Sequence, residues 1–444
     1  MGETFQSVGS RALYIYQNEA TWGVVNPSPF PRKVRLLPGE TIDRNVSILR
    51  STEIRSDRMR NQSVFGNQDP GGGLPFELSP SGWNPFFYHL LGGSVATTTA
   101  VGTVAAPSAP SGAASGTGGV LTAATYKYEI TALNGFGESL PSTASADVVV
   151  ASGTTNKVTL TWSTVSGATG YRVYGRTGGN FNLIATLGVV LTYIDTGAVT
   201  PNTLVPAPTF ETTGHVHVIK GSVDLPVGFS FEKQFLDQPS TGLFIPYYGC
   251  RISRLQLNMP QNQIVTGVWD IVGREEVAST TASLLNPSAL PIYSPTNQPY
   301  SSPQVQIYEG TTLTLLGIAR DLQFNVDNSM NIQKGHILGD TLKANLKAGE
   351  RVTTMSGTFM FKDAVLYNKA VQGTSTALRA IITDGTNSCQ IDLPNFKFLP
   401  TGTTPKANEE GQLEIRTTGE ATPDLVTGTD IIVTLTVPDA SITT

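Results

Sequence analysis

Cysteine is almost missing from this chain: Cys250 and Cys389 are the only two in 444 residues. Two cysteines cannot make a disulfide framework, so free, buried thiols are expected, with no dependence on an oxidising compartment. Charge is scarce as well. Asp, Glu, Lys and Arg make up 14% of the chain, against roughly a quarter in ordinary globular proteins. The net charge of -5 argues against a protein that grips nucleic acid through a basic surface. It leaves open a surface that nucleic acid passes without sticking. No apolar run approaches the ~20 residues of a membrane span. The opening "MGETFQSVGSRALYIYQNEA" has no basic segment followed by an apolar one, so no secretory signal and synthesis in a cytoplasm are expected. Gly-x-Ser-x-Gly and His-Glu-x-x-His are both missing, and the four histidines scatter without a cysteine or aspartate constellation, which argues against an enzyme.

What is abundant is turn chemistry and neutral polarity. There are 45 glycines and 28 prolines, which favours β over α structure. "NPSPFPRKVRLLPGE" (residues 26–40) cannot be a helix or central strand, because its prolines lack the N–H both need. The Arg-dense "STEIRSDRMRNQSVFGNQDPGGG" follows, and residues 26–73 read as one long irregular loop. "GLPFEL" then alternates like a strand. "NPFFYHLLGG" reads as a short apolar helix with Asn84 as cap, Pro85 in its first turn and Gly92 as terminator.

Residues 95–120 are a Ser/Thr/Ala/Gly/Pro tract with linker chemistry. Beyond it the character changes. "TYKYEITALN" places Tyr126, Tyr128 and Ile130 on one face, "KVTLTW" places Val158, Leu160 and Trp162, and "GYRVYGR" places Tyr171 and Val173. Short alternating strands at regular spacing around a central Trp predict a β-sandwich. With "YKYEITALNGFGESLPS" before it, this stretch of about 90 residues resembles a fibronectin type III or immunoglobulin-like module. Its expected core is Tyr128, Ile130, Leu160, Trp162, Tyr171 and Val173. From residue 209 the earlier character returns, so the module, at 105–208 with its linkers, reads as an insertion.

The chain also echoes itself. "GVWDIVGREE" downstream of Cys250 matches "GQLEIRTTGE" downstream of Cys389: Gly267, Trp269, Asp270 and Ile271 against Gly411, Leu413, Glu414 and Ile415. Upstream, "GLPFELSPSGWNPFFYHLLGG" matches "GTFMFKDAVLYNKAVQG". Each is a Gly-led strand, then a helix with Tyr88 or Tyr367, closed by Gly92 or Gly373. The order strand, helix, Cys strand, Gly-led strand predicts a diverged duplication. One unit is 1–104 plus 209–290, the other 291–444.

"NEATWGVVNP", "STEIRSDR", "GGGLPFEL" with its helix, and "VTTMSGTFMFKDAVLYNKAVQG" with "CQIDLPNFKF" resemble phage tail tube proteins over roughly the 340 residues outside the insertion. The resemblance implies a mainly β fold, a duplicated tail-tube β-sandwich or barrel with one short helix per copy. It implies a structural role in the virion tail: rings stack into a hollow tube that conducts double-stranded DNA without specific binding. It also implies partners among other tail proteins (tape measure, tail terminator, tip or baseplate), no cofactor, and a long loop, here 26–73, reaching to the next ring. Many such rings are hexamers of one unit, so two units per chain predict a homotrimeric, pseudo-sixfold ring, with a homohexamer as the alternative. The sandwich would hang outward. The competing reading is a tail-tip or surface adhesin that binds host glycan through that module.

Arg44, Arg50, Arg55, Arg58 and Arg60 interleave with Asp43, Glu53 and Asp57. Mixed signs at this density predict pairing across a subunit contact, with a solvated loop as the plainer reading and DNA contact as the third. "HVHV" puts His215 and His217 at a spacing that can chelate a metal, but no third ligand is near, and exposed strand histidines are the plainer reading. "GNQDPGGG" lacks the Lys-Ser/Thr of a phosphate loop. His89 is expected to be a partnered core or interface residue, and Trp22 a core residue.

Overall fold

Period-2 alternation governs this chain, and the computed structural model turns it into 28 strands among the residues it describes. It describes residues 12–26, 31–54, 56–57, 59–93, 95–99, 104–153, 155–177, 180–208, 211–236, 243–278, 280, 282–285, 298–310, 312–316, 319–362, 364–400, 404, 406–407, 413–439 and 442. The first stretch runs β1 (Ala12–Asn18), β2 (Arg32–Val34), β3 (Val46–Leu49), β4 (Val64–Gln68), β5 (Gly71–Glu77), helix α1 (Asn84–Leu91) and β6 (Val95–Thr99). A middle stretch holds β7 (Ser111–Ser115), β8 (Ala124–Leu133), β9 (Val148–Val150), β10 (Lys157–Thr161), β11 (Gly170–Thr177), β12 (Asn180–Leu187), β13 (Thr192–Asp195) and β14 (Asn202–Pro206). Then come β15 (His215–Lys220), β16 (Phe229–Phe235), β17 (Leu243–Met259), β18 (Thr266–Val272) and β19 (Glu275–Glu276). The last stretch is β20 (Val305–Glu309), β21 (Thr314–Leu315), β22 (Ala319–Asp327), β23 (Val352–Met360), helix α2 (Val365–Gln372), β24 (Ser375–Thr383), β25 (Ser388–Phe398), β26 (Lys406–Ala407), β27 (Leu413–Ala421) and β28 (Ile432–Val437).

The middle stretch forms two sheets of its own, ordered β13-β10-β7 and β14-β12-β11-β8-β9. Their shared core contains Tyr128, Ile130, Leu160, Trp162, Tyr171 and Val173, all buried. A second and larger core is built from residues on both sides of that stretch. Its densest part is aromatic: Trp269 stacks on Phe76 at 5.2 Å, and Trp83, Phe86 and Phe87 surround it. Burying each such ring contributes about 2–3 kcal/mol, so this cluster holds α1 against β5 and β18.

The pairings on either side of the middle stretch follow parallel courses. Earlier in the chain, β1 pairs with β2 and β16, β16 with β17, β17 with β18 and β19, and β18 with β5. Residues 37–43 run along the other edge of β5, with Leu37 N donating to Pro75 O and Thr41 N to Gly73 O. Later in the chain, β20 pairs with β21 and β24, β24 with β25, β25 with β27 and β28, and β27 with β23. There β22 occupies the other edge of β23, and β26 that of β27. Because β17 also pairs with β22, one continuous antiparallel sheet results. Its order is 37–43, β5, β18, β17, β22, β23, β27, β26.

Two local expectations change. The cap position of α1 is Trp83, and Asn84 is the first helical residue. The Asn84 side chain instead donates to Pro80 O at 2.7 Å and to Asp439 Oδ2 at 2.6 Å. Gly92 does end the helix, at φ 68°. The second change concerns 26–73, which is not one irregular loop. It contains β2, β3 and β4, and β3 and β4 form a separate two-stranded ribbon. The "GNQDPGGG" run is the end of β4, a turn and the start of β5. A Cβ on Gly72 would collide with the Thr41 carbonyl, so glycine there lets residues 37–43 lie flat against β5.

Candidate assembly surfaces

The β3–β4 ribbon stands apart from both cores. Ile48 pairs with Phe65 and Leu49 with Val64, yet these four side chains are 54%, 75%, 57% and 64% exposed. Beyond them Ile54 and Met59 are exposed as well. Strand-forming apolar residues with no core to enter make the ribbon a candidate contact surface. The signal was present in "VSIL" and "SVFG", two short apolar runs flanking a charged turn, but the arginines between them obscured it.

The root of this arm is fastened to the body. Lys343 Nζ is completely buried and lies 2.8 Å from Asp69 Oδ1 and 3.0 Å from Gly273 O. His336 Nε2 meets the same carboxylate oxygen at 2.8 Å, and Gln68 N donates to Thr341 O. Burial works to raise Asp69, but hydrogen bonds from Lys343 and His336 outweigh it and hold its carboxyl below the usual range. Burial lowers Lys343. A cleft of about 380 Å³ opens between the ribbon and residues 275–278 and 340–342.

The continuous sheet has one core face and one polar face. Across the polar face, one row runs Pro75, Val268, Gln256, Asn325, Thr354, Glu420, and the next runs Glu77, Thr266, Asn258, Gln323, Ser356, Thr418. Amides and hydroxyls dominate. The same side carries Asp270, Asp321 and Asp327, while Arg254 is paired with Asp270 at 2.6 Å.

A family model described as Phage tail tube protein matches residues 9–437. The chain belongs to the phage tail tube protein family. That family is structural and its members are components of the virion tail. No curated protein matches the chain.

In this tail tube protein the singled-out residues fall as follows. Arg44, Arg50, Glu53, Asp57 and Arg60 are exposed on the ribbon and its turn; Arg55 and Arg58 lie outside the described residues. Glu53 Oε2 accepts from Asn61 Nδ2 at 3.1 Å, and Asp57 Oδ1 from Met59 N at 3.1 Å. Glu53 and Asp57 therefore brace the turn itself. Cys250 and Cys389 are buried, and burial pushes their thiols up, Cys389 to about 12. His215 and His217 are not exposed but buried. His217 Nε2 meets Asp439 O at 2.6 Å and His215 Nε2 lies 3.3 Å from Glu211. Among the described residues no group of three or more His, Cys, Asp or Glu could hold a metal ion, and no helix is long and apolar enough to cross a membrane. His89 is a core residue whose Nε2 meets Asn18 Oδ1 at 2.8 Å. Trp22 is half-buried rather than a core residue, with Arg251 and Arg274 each within 6 Å of its ring.

One residue that pattern reading passed over is Glu19. Its carboxylate accepts from Gly249 N, Gly23 N and Ser230 Oγ. Burial raises its pKa despite those bonds. No local pattern reveals it, because two of its three partners, Ser230 and Gly249, lie more than 200 residues away.

Proposed function

We propose that this tail tube protein assembles as stacked rings of three subunits, each carrying two copies of one fold unit. The observation that carries the reading is the recurrence of pairings in the same chain order. The set β1, β2, 37–43, β5, α1, β16, β17, β18, β19 corresponds to β20, β21, β22, β23, α2, β24, β25 with β26, β27, β28. On this reading the ribbon corresponds to the loop 328–351, since each joins an outer strand to the strand before the helix. The first unit is interrupted between α1 and β16, where the second has only Gly373 and Thr374 between α2 and β24. The interruption therefore takes in β6 and β15 as a stem, wider than 105–208, around an inserted immunoglobulin or fibronectin III-like sandwich.

Eight sheet positions per chain close a barrel of about 24 strands in a trimer. At about 4.8 Å spacing and 35–45° tilt, that leaves a passage on the order of 40 Å, wider than a DNA duplex. The edges that would meet between neighbours are 37–43 on one side and β26–β27 on the other; closure removes edges that would otherwise invite aggregation. The polar face lines the passage, the ribbon reaches the adjacent ring, and the sandwich sits outside. The tape measure, terminator and tip proteins then meet the ends of the tube.

End-on electron-microscopy averages of the concentrated protein test this. Three outer knobs per ring are expected. Six knobs would keep the tube but remove the two-unit chain, and monomers in the presence of an assembly initiator would remove the ring.

A further inference from the structure

We propose that the β7–β14 sandwich is clamped to the body at a fixed angle by a joint between residues 134–138 and residues 211–214. The linker composition around it predicts a flexible tether, but the C-terminal side is built otherwise. Asn134 Oδ1 accepts from Phe136 N at 3.0 Å and Gly137 N at 2.9 Å, which freezes the turn after β8. Its Nδ2 donates to Thr213 O at 2.9 Å. Thr212 N donates to Glu138 O at 2.8 Å, and Glu138 N donates back to Thr212 Oγ1 at 2.8 Å.

Each side of this joint is anchored in its own unit. On the sandwich side, Glu138 Oε1 accepts from Tyr174 OH at 2.6 Å, and Arg172 binds Oε2 at 2.6 Å. On the body side, Thr213 is fully buried and His215 opens β15, whose six residues pair with β28. Only Gly214 separates the two. It sits at φ +106°, and a Cβ there would lie 2.6 Å from the Phe136 ring, so a side chain is excluded both by conformation and by the ring packed over it. A chain bonded at 212 and 213 and in a sheet from 215 has no free dihedral segment long enough to act as a swivel. The consequence is that every sandwich points the same way, and anything approaching from outside meets an oriented array.

Electron-spin distance measurement on the full chain tests the joint. Ser163→Cys, exposed on the sandwich, and Val371→Cys, 56% exposed on α2, take the labels; Cys250 and Cys389 are buried. The expected result is one narrow distance distribution. A broad one overturns the proposal. Asn134→Ala with Phe136→Ala is expected to widen it at least twofold. Thr212→Pro, which removes both the N–H bonded to Glu138 O and the hydroxyl that accepts from Glu138 N while changing no residue of the sandwich, should widen it too. Retention of the narrow distribution in the Thr212→Pro variant would equally overturn the joint as its cause.

Discussion

A completely buried lysine needs a reason, and Lys343 has one. Removing its charge from water would cost several kcal/mol, but Asp69 and Gly273 O around it recover that cost. The two partners are not equivalent. Lys343 is fully buried whereas the Asp69 side chain is 23% exposed, so water can still reach an orphaned carboxylate but not an orphaned ammonium. Asp69→Ala is therefore expected to cost about 3–5 kcal/mol, and Lys343→Met less, about 2–3 kcal/mol, in urea unfolding of the unassembled chain. The reverse order would refute this account. The pH dependence follows with its sign. Asp69 is depressed in the folded state, so its contribution is whole above its ordinary value near 3.8 and is lost as pH falls through the lower folded value. His89 acts earlier. Burial lowers it from 6.5 to about 3, so the unfolded chain takes up a proton first and stability declines from about pH 6.5 down toward 3. His89→Gln is expected to flatten that limb of a melting-temperature profile.

At the level of elements, the ring contact proposed for the β3–β4 ribbon can be tested apart from folding. Its exposed Ile48 and Phe65 touch neither core, so Ile48→Ser with Phe65→Ser should leave the melting temperature within about 2 °C, a ΔΔG of less than about 0.5 kcal/mol. Growth of long tubes, followed by light scattering, should be lost. Normal growth would mean that the ribbon is not the contact between rings. The ribbon was also the element hardest to read from sequence. Strands such as β8 and β10 announce themselves because one face is buried and alternation persists. In β3 and β4 both faces meet solvent, so alternation carries no information and the arginines dominate. The cysteine echo was legible as an order of elements, not as a register. Cys250 lies opposite Phe229, at the end of β16 away from its turn with β17, while Cys389 lies opposite Ile382 beside the β24–β25 turn. Likewise Gly73 faces Asp270 but Gly357 faces Thr417, which does not align Asp270 with Glu414. A period of two is satisfied equally by slips of two residues. Clamps such as Glu19 or Asp69–Lys343 join residues more than 200 apart and leave no local trace.

The whole molecule raises the question of what a DNA passage requires of a protein surface. Fixed cations bind phosphate and release counterions, and each contact steepens the salt dependence of binding by about 0.9 per phosphate for duplex DNA. A passage must avoid that. The polar face of the long sheet is made mostly of amides and hydroxyls, and among its described residues Glu77, Asp270, Asp321, Asp327, Glu414 and Glu420 outnumber Arg254, Arg320 and Arg416. Its opposite face is committed to the core, so substitutions on the polar side can change electrostatics without repacking. Asn258→Lys with Gln323→Lys, neighbours in one row, would place about six added cations in each ring of the proposed trimer. Tubes are expected to form normally, while genome release from virions slows severalfold at low salt and recovers as salt rises. Thr434→Lys with Gln390→Lys, neighbours on β28 and β25 and outside that sheet, serve as the control and should leave release unchanged. Equal release from the Asn258 and Gln323 variant at every salt concentration would mean that DNA never meets this face, and the passage would then have to be lined by another surface of the chain.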